Sequence, residues 1–194
     1  MMLMVAVVIA AGCTKLDNSD NGGNNNSGEN SGQNTSNNGS LDGYEWVDLG
    51  LPSGTLWATC NMGATLPNEY GSYFTWYDLP VSQWGGGWCV PTEEQWLELF
   101  NNTMYECTSQ DGVNGYLITA NDSRLFLPAA GYSTGDIGSV GYYWSSSSGA
   151  DHPYAIKRFM CFGLDYYRMR SIDISSSSGG NSKFSVRRVC FARK

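Results

Sequence analysis

GYYWSSSS at residues 141–148 and FSVRRVCF at residues 184–191 bracket the last quarter of the chain. Between them lie two β-prone runs, at 154–162 and 166–174, separated by Gly163 and followed by Gly179-Gly180. The same alternation of β-prone runs and turns repeats upstream of this quarter. Strand-like runs sit at 124–127, at 116–120 and around Cys107, with turn signals at Asp111-Gly112, Asn114-Gly115 and Asn121-Asp122. Residues 74–77 read as a further short strand. Nearer the start, 44–50 and 55–60 read as two strands joined by the turn LPSG, in which Pro52 presets φ and Gly54 accepts φ > 0.

One segment breaks the β pattern. Thr92 follows Pro91, Gln95 stands three residues on, and Glu93 and Glu94 fill the first turn between them. That is a capping box with acids at the positive end of a helix dipole. Trp96, Leu99 and Phe100 share one face, and Asn101-Asn102 supply the stop. One clear helix among many short strands is an α+β domain dominated by antiparallel sheet.

The chain has 194 residues, 41% hydrophobic and 13% aromatic, enough for one core-bearing domain. A formal charge of −7 argues against general nucleic-acid binding. The charge is unevenly spread. Residues 42–151 hold thirteen acids and one base, Arg124; residues 152–194 hold nine bases and two acids, Asp165 and Asp173. Either the two regions neutralise each other across the fold, or the later one presents a basic patch to an anionic ligand.

Residues 1–11 are apolar and run into Gly12-Cys13. Eleven residues are too few to span a bilayer as a helix, and they have the size of a signal-peptide core. IAAGC at 9–13 resembles a bacterial lipobox, although no Lys or Arg precedes the apolar run. This resemblance implies cleavage, lipidation at Cys13 and an outer-membrane location. Residues 14–42, rich in Asn, Gly and Ser, read as a disordered spacer, because such a tract buries too little to offset chain entropy. The organisation expected is therefore a leader and lipidated cysteine at 1–13, a linker at 14–42 and a domain at 43–194.

Catalytic chemistry finds little footing. His152 is the single histidine, so His-based metal clusters are excluded and a Ser-His-Asp triad would have to use it. Its polar, Ser- and Gly-rich surroundings read as an exposed loop. With Cys13 assigned to lipid, Cys60, Cys89, Cys107, Cys161 and Cys190 remain, an odd number with no CxxC or zinc spacing. No metal and no cofactor are expected.

Six stretches, in order, resemble one family: YEWVDLGLPSGTLWATCNMGA (44–64), EYGSYFTW (69–76), GWCVPTEEQW (87–96), LFLPAAGY (125–132), GYYWSSS (141–147) and SVRRVC (185–190). Together they resemble the FISUMP-type lipoprotein domain of Gram-negative gut bacteria, related to the C-type-lectin-like fold shared with formylglycine-generating enzymes. The resemblance implies adjacent N- and C-terminal strands, a framework role for Trp144 and a surface or adhesive function. It also implies a disulfide between Cys60 and Cys190; Cys89 and Cys107, which flank the helix, make a weaker second pair. The paired active-site cysteines of the formylglycine-generating enzymes have no counterpart here. The calcium-binding Glu-Pro-Asn-like and Trp-Asn-Asp-like motifs of lectins have none either.

The segment between YWSSSS and SVRRVCF resembles the variable region of retroelement-diversified proteins, whose C-terminal face binds ligand. Arg158 interrupts Ile156 and Met160, and Lys157 sits beside Phe159 and Cys161, an untidy alternation that suits such a face or an ordinary exposed strand. The expected ligand-binding set is Asp151, His152, Tyr154, Lys157, Arg158, Asp165, Tyr166, Tyr167, Arg168 and Arg170. The function expected is a surface-anchored, non-enzymatic binding protein for a cell-surface glycan or protein. The alternatives are an envelope enzyme related to sulfatase-modifying proteins and a pilus-tip subunit.

Overall fold

The computed structural model describes residues 37–79, 87–133 and 135–191. Its elements in chain order are β1 (Asn38–Leu41), β2 (Tyr44–Asp48), β3 (Thr55–Ala58), α1 (Glu93–Asn101), β4 (Met104–Gln110), β5 (Val113–Ala120), β6 (Ser123–Pro128), β7 (Gly141–Ser148), β8 (Ile156–Phe162), β9 (Tyr167–Asp173), α2 (Ser177–Gly180) and β10 (Val189–Phe191). They form three antiparallel sheets, ordered β1-β2-β3-β10, β4-β5-β6 and β7-β8-β9. The class is a largely β or α+β fold with few helices.

The first sheet begins inside the tract that composition assigns to a linker. β1 pairs with β2 through Asn38↔Val47 to Leu41↔Tyr44. A short edge strand needs few anchors, and two suffice. Gly39 leaves room for the Trp46 ring, which a β-carbon there would meet at 2.3 Å. The Leu41 carbonyl accepts the Trp88 indole N–H at 3.1 Å. β10 joins the sheet beside β3, Val189 opposite Trp57, so the latest strand closes the earliest sheet.

The hairpin turns follow their residues. Asp42-Gly43, Asp111-Gly112 and Asn121-Asp122 each put two consecutive residues at positive φ, the geometry of a two-residue hairpin turn that suits strand twist. Only bridges, not strands, form at two expected places. Phe74 contacts Phe184, and residues 184–185 reach β10 only after an irregular stretch.

α1 starts as its residues dictate. The Thr92 hydroxyl accepts from the Gln95 N–H, and the Gln95 side chain accepts from the Thr92 N–H. Trp96, Leu99 and Phe100 are buried. Trp96 packs against Trp57 at 4.7 Å between ring centroids and against Tyr143 at 5.6 Å. These rings, with Leu127, Met160 and Phe162, make the main core. A second core holds Trp144, Phe159, Cys161 and Phe184.

β8 lies between the two cores. Met160 and Phe162 enter the first, Phe159 and Cys161 the second. This corrects the reading of 154–162 as an exposed strand: β8 begins at Ile156, and its residues 159–162 are buried. Its alternation is untidy because both faces are covered, as in any strand buried on two sides.

Candidate functional site

The segment from 151 to 170 divides into residues turned inward and residues turned outward. Asp151, His152 and Tyr154 lie exposed in the loop before β8, with Tyr154 73% accessible. The His152 carbonyl accepts from the Ala155 and Ile156 amides and fixes that loop.

Lys157 and Arg158 are half-buried and their charges are engaged within the chain. The Lys157 ammonium donates to Ser148 Oγ at 2.9 Å and to the Pro153 carbonyl at 2.8 Å, and it lies 4.7 Å from the Trp76 ring centroid. Burial holds its pKa below the ordinary lysine value. Arg158 Nε donates to Glu93 Oε2 at 2.7 Å, Nη2 donates to Glu93 Oε1, and Nη1 donates to Ser171 Oγ at 2.7 Å. This bonding to Glu93 raises the arginine's pKa. Both charges of the expected binding set thus already have partners within the chain.

Tyr166 and Tyr167 point to opposite faces of the sheet, as successive strand residues must. Tyr167 stacks on Phe100 at 4.4 Å and donates to Asn101 Oδ1, so it belongs to the main core's margin. Tyr166 packs against the second core and remains partly accessible. Arg168 lies across it, 4.8 Å from the ring centroid.

Arg168 and Arg170 are exposed and share one face of β9, the outer strand of its sheet. Neither has a carboxylate within salt-bridge distance; among the described residues the one ion pair is Arg158–Glu93. Asp165 is exposed in the β8–β9 turn beside Leu164, which is 80% accessible. Sequence reading passes over Leu164, because a single leucine after a glycine carries no periodic signal.

The turn also borders a cavity of about 180 Å³ lined by Cys107, Gly115, Tyr116, Phe162, Gly163 and Leu164 among others. The Cys107 thiol donates to the Leu164 carbonyl at 2.7 Å, and the Tyr116 hydroxyl donates to the Tyr166 carbonyl at 3.0 Å. Two side chains of the neighbouring sheet thus hold the turn in place. Burial pushes the Cys107 thiol above its ordinary pKa.

The remaining bases near the end of the chain resolve the charge asymmetry in part. Arg187 is fully buried and donates to the carbonyls of Ala58 and Phe126 at 3.1 and 2.9 Å. Arg188 is stacked between Tyr44, at 3.7 Å, and Trp88, at 5.3 Å. Arg193 and Lys194 lie outside the described residues. The exposed basic set after residue 151 is therefore Arg168, Arg170 and Lys183 among the described residues.

The expected disulfide is not formed. Cys60 and Cys190 are both free thiols, and so is Cys107, which removes the weaker Cys89–Cys107 pairing as well. Register explains the first. Cys190 stands opposite Leu56, and Cys60 lies beyond the end of β3 with its thiol directed to the Thr65 carbonyl. Cys161 and Cys190 occupy separate clusters, so these two thiols do not converge. Among the described residues no group of three or more His, Cys, Asp or Glu side chains is placed to hold a metal ion. No described helix is long and apolar enough to cross a membrane.

Comparison of the chain with known protein families, curated proteins and solved structures finds no match.

Proposed function

We propose that this chain is a lipid-anchored, non-enzymatic binding protein of the bacterial outer-membrane surface, with a C-type-lectin-like domain that engages a glycan or protein partner. Its ligand face is the outer strip of β9 and the adjoining turn, carried by Leu164, Asp165, Tyr166, Arg168 and Arg170. Asp151, His152 and Tyr154 extend it at the far end. The pairing of β10 with β3 and the packing of one principal helix among short antiparallel strands support the lectin-like reading. The anchor, Cys13, lies outside the described residues and rests on the lipobox resemblance.

One observation carries the binding reading. Among the described arginines after residue 151, Arg158 is ion-paired and Arg187 and Arg188 are buried, while Arg168 and Arg170 are exposed on one face of β9 with no acid within salt-bridge distance. Guanidinium groups in that state are ready bidentate donors to carboxylate or sulfate. A cell-binding or glycan-array assay comparing wild type with Arg168→Ala/Arg170→Ala tests this. Loss of binding in a folded double variant is the expected result; equal binding by both proteins removes this face.

A further inference from the structure

β9 offers more than two charges. As the outer strand of its sheet it has a partner on one side only. Its ladder to β8 runs from Tyr167↔Phe162 to Asp173↔Ile156. Residues 167–172 have no other backbone hydrogen bond among the described residues. At Asp173 the edge is closed, since the Ser176 hydroxyl donates to its carbonyl and Gly179 lies against it. What remains open is a six-residue edge about 20 Å long, along which alternate residues turn their amide and carbonyl groups away from β8.

An open edge of this length is a template for another strand. The side chains say which strand it refuses. Antiparallel pairing of β9 with a second β9, centred on Met169, sets Arg168 of each copy opposite Arg170 of the other. Like charges directly opposed across a ladder are destabilising. The same two arginines, on one face two residues apart, suit an incoming strand with acids at positions i and i+2. The residue between those acids falls on the opposite face, beside Met169 and Tyr167, both of which pack against the main core. That position favours an apolar side chain.

We propose that β9 binds an extended peptide as an added strand, its alternate acidic side chains meeting Arg168 and Arg170. The inference rests on the binding-face reading above and narrows it to a protein ligand of defined pattern. Main-chain hydrogen bonds supply the docking and the two guanidinium groups supply the register.

The test uses the full chain and a synthetic peptide, acetylated and amidated, of seven alternating Thr and Val residues with Glu in place of the third and fifth. A second peptide of the same composition carries its glutamates at the third and fourth positions, on opposite faces. Two further versions of the first are N-methylated at either the odd or the even amides. Calorimetric titration should show the first peptide binding and the second weaker by at least about tenfold, because one charge-assisted pair is lost. One methylated series should abolish binding and the other should spare it, since only alternate amides face the ladder. The blocking groups sit on the peptide, so no variant needs to fold.

Equal binding of all four peptides overturns the proposal and leaves a merely electrostatic face. Binding of a heparin-derived hexasaccharide but of none of the peptides also overturns it, while keeping the binding-face reading. No binding of either probe, with the Arg168→Ala/Arg170→Ala protein still adhering to cells like wild type, removes both.

Discussion

Arg158 in β8 and Glu93 in the first turn of α1 are locked together by two hydrogen bonds, the one ion pair among the described residues. The pair joins the acid-rich part of the chain to its basic part at the margin of the fold, each side chain being 24% accessible. An ion pair that ties a helix to a strand acts on stability. Glu93→Gln should cost about 1–2 kcal/mol, or about 3–6 °C in Tm. Ligand binding through β9 should be unchanged. A thermal scan beside a binding assay reads both; a Glu93→Gln protein that melts like wild type would show that the pair is worth nothing.

Thr92 governs the start of α1. Thr92→Ala leaves the Gln95 amide without its acceptor and should lower stability by about 1 kcal/mol, while Thr92→Ser should restore most of it. Denaturant midpoints of the three proteins decide the matter. Equal midpoints for Thr92 and Ala would mean that burial of Trp96 alone sets the helix.

The free thiols should react in an order set by burial. Cys107 is exposed, whereas Cys161 and Cys190 are 3% and 1% accessible. Iodoacetamide applied to the native protein should mark Cys107 well before the other two, as peptide mass mapping would show. Early labelling of Cys190 would mean that β10 leaves the first sheet in the native state.

Alkaline pH should weaken the fold. Burial pushes the Cys190 thiol from 9.0 up to about 12 and the Tyr143 hydroxyl from 10.0 up to about 12. The folded chain keeps these protons where the unfolded chain releases them. Their stabilising contribution is thus whole below pH 9 and declines as pH rises from there towards 12. Cys190→Ala should flatten the first part of that decline in a pH series of urea midpoints. An unchanged slope would assign the loss to tyrosines alone.

What the sequence discloses here is local. The capping box lies within four residues, and the Asp111-Gly112 and Asn121-Asp122 turns lie within two, so no distant partner has to be known. Arg158 is different. Nothing near it in the chain points to Glu93, and a basic residue in an interrupted strand pattern looks the same whether its partner is a ligand or a helix. The same holds for Arg187, whose acceptors are backbone carbonyls with no signature. β1 escapes notice because Asn38, Gly39 and Ser40 are loop-like by composition and become a strand only because Trp46 and Trp88 lie alongside. The Cys60–Cys190 expectation fails on register, a quantity fixed by which residues of β3 and β10 face each other. Of the binding set, Arg168 and Arg170 share a face as their spacing requires. The inward turn of Lys157 and Tyr167 depends on Trp76 and Phe100, far away in the chain.

The pairing of Trp57 with Val189 also sets a timetable. β3 emerges early in synthesis and remains without one of its two neighbours until Phe191 has been added. Contacts of such long separation slow folding, because the intervening chain must be ordered first. A polypeptide built this way stays open while it is being made, and its first sheet is completed only after the segment bearing β9 has already left the ribosome.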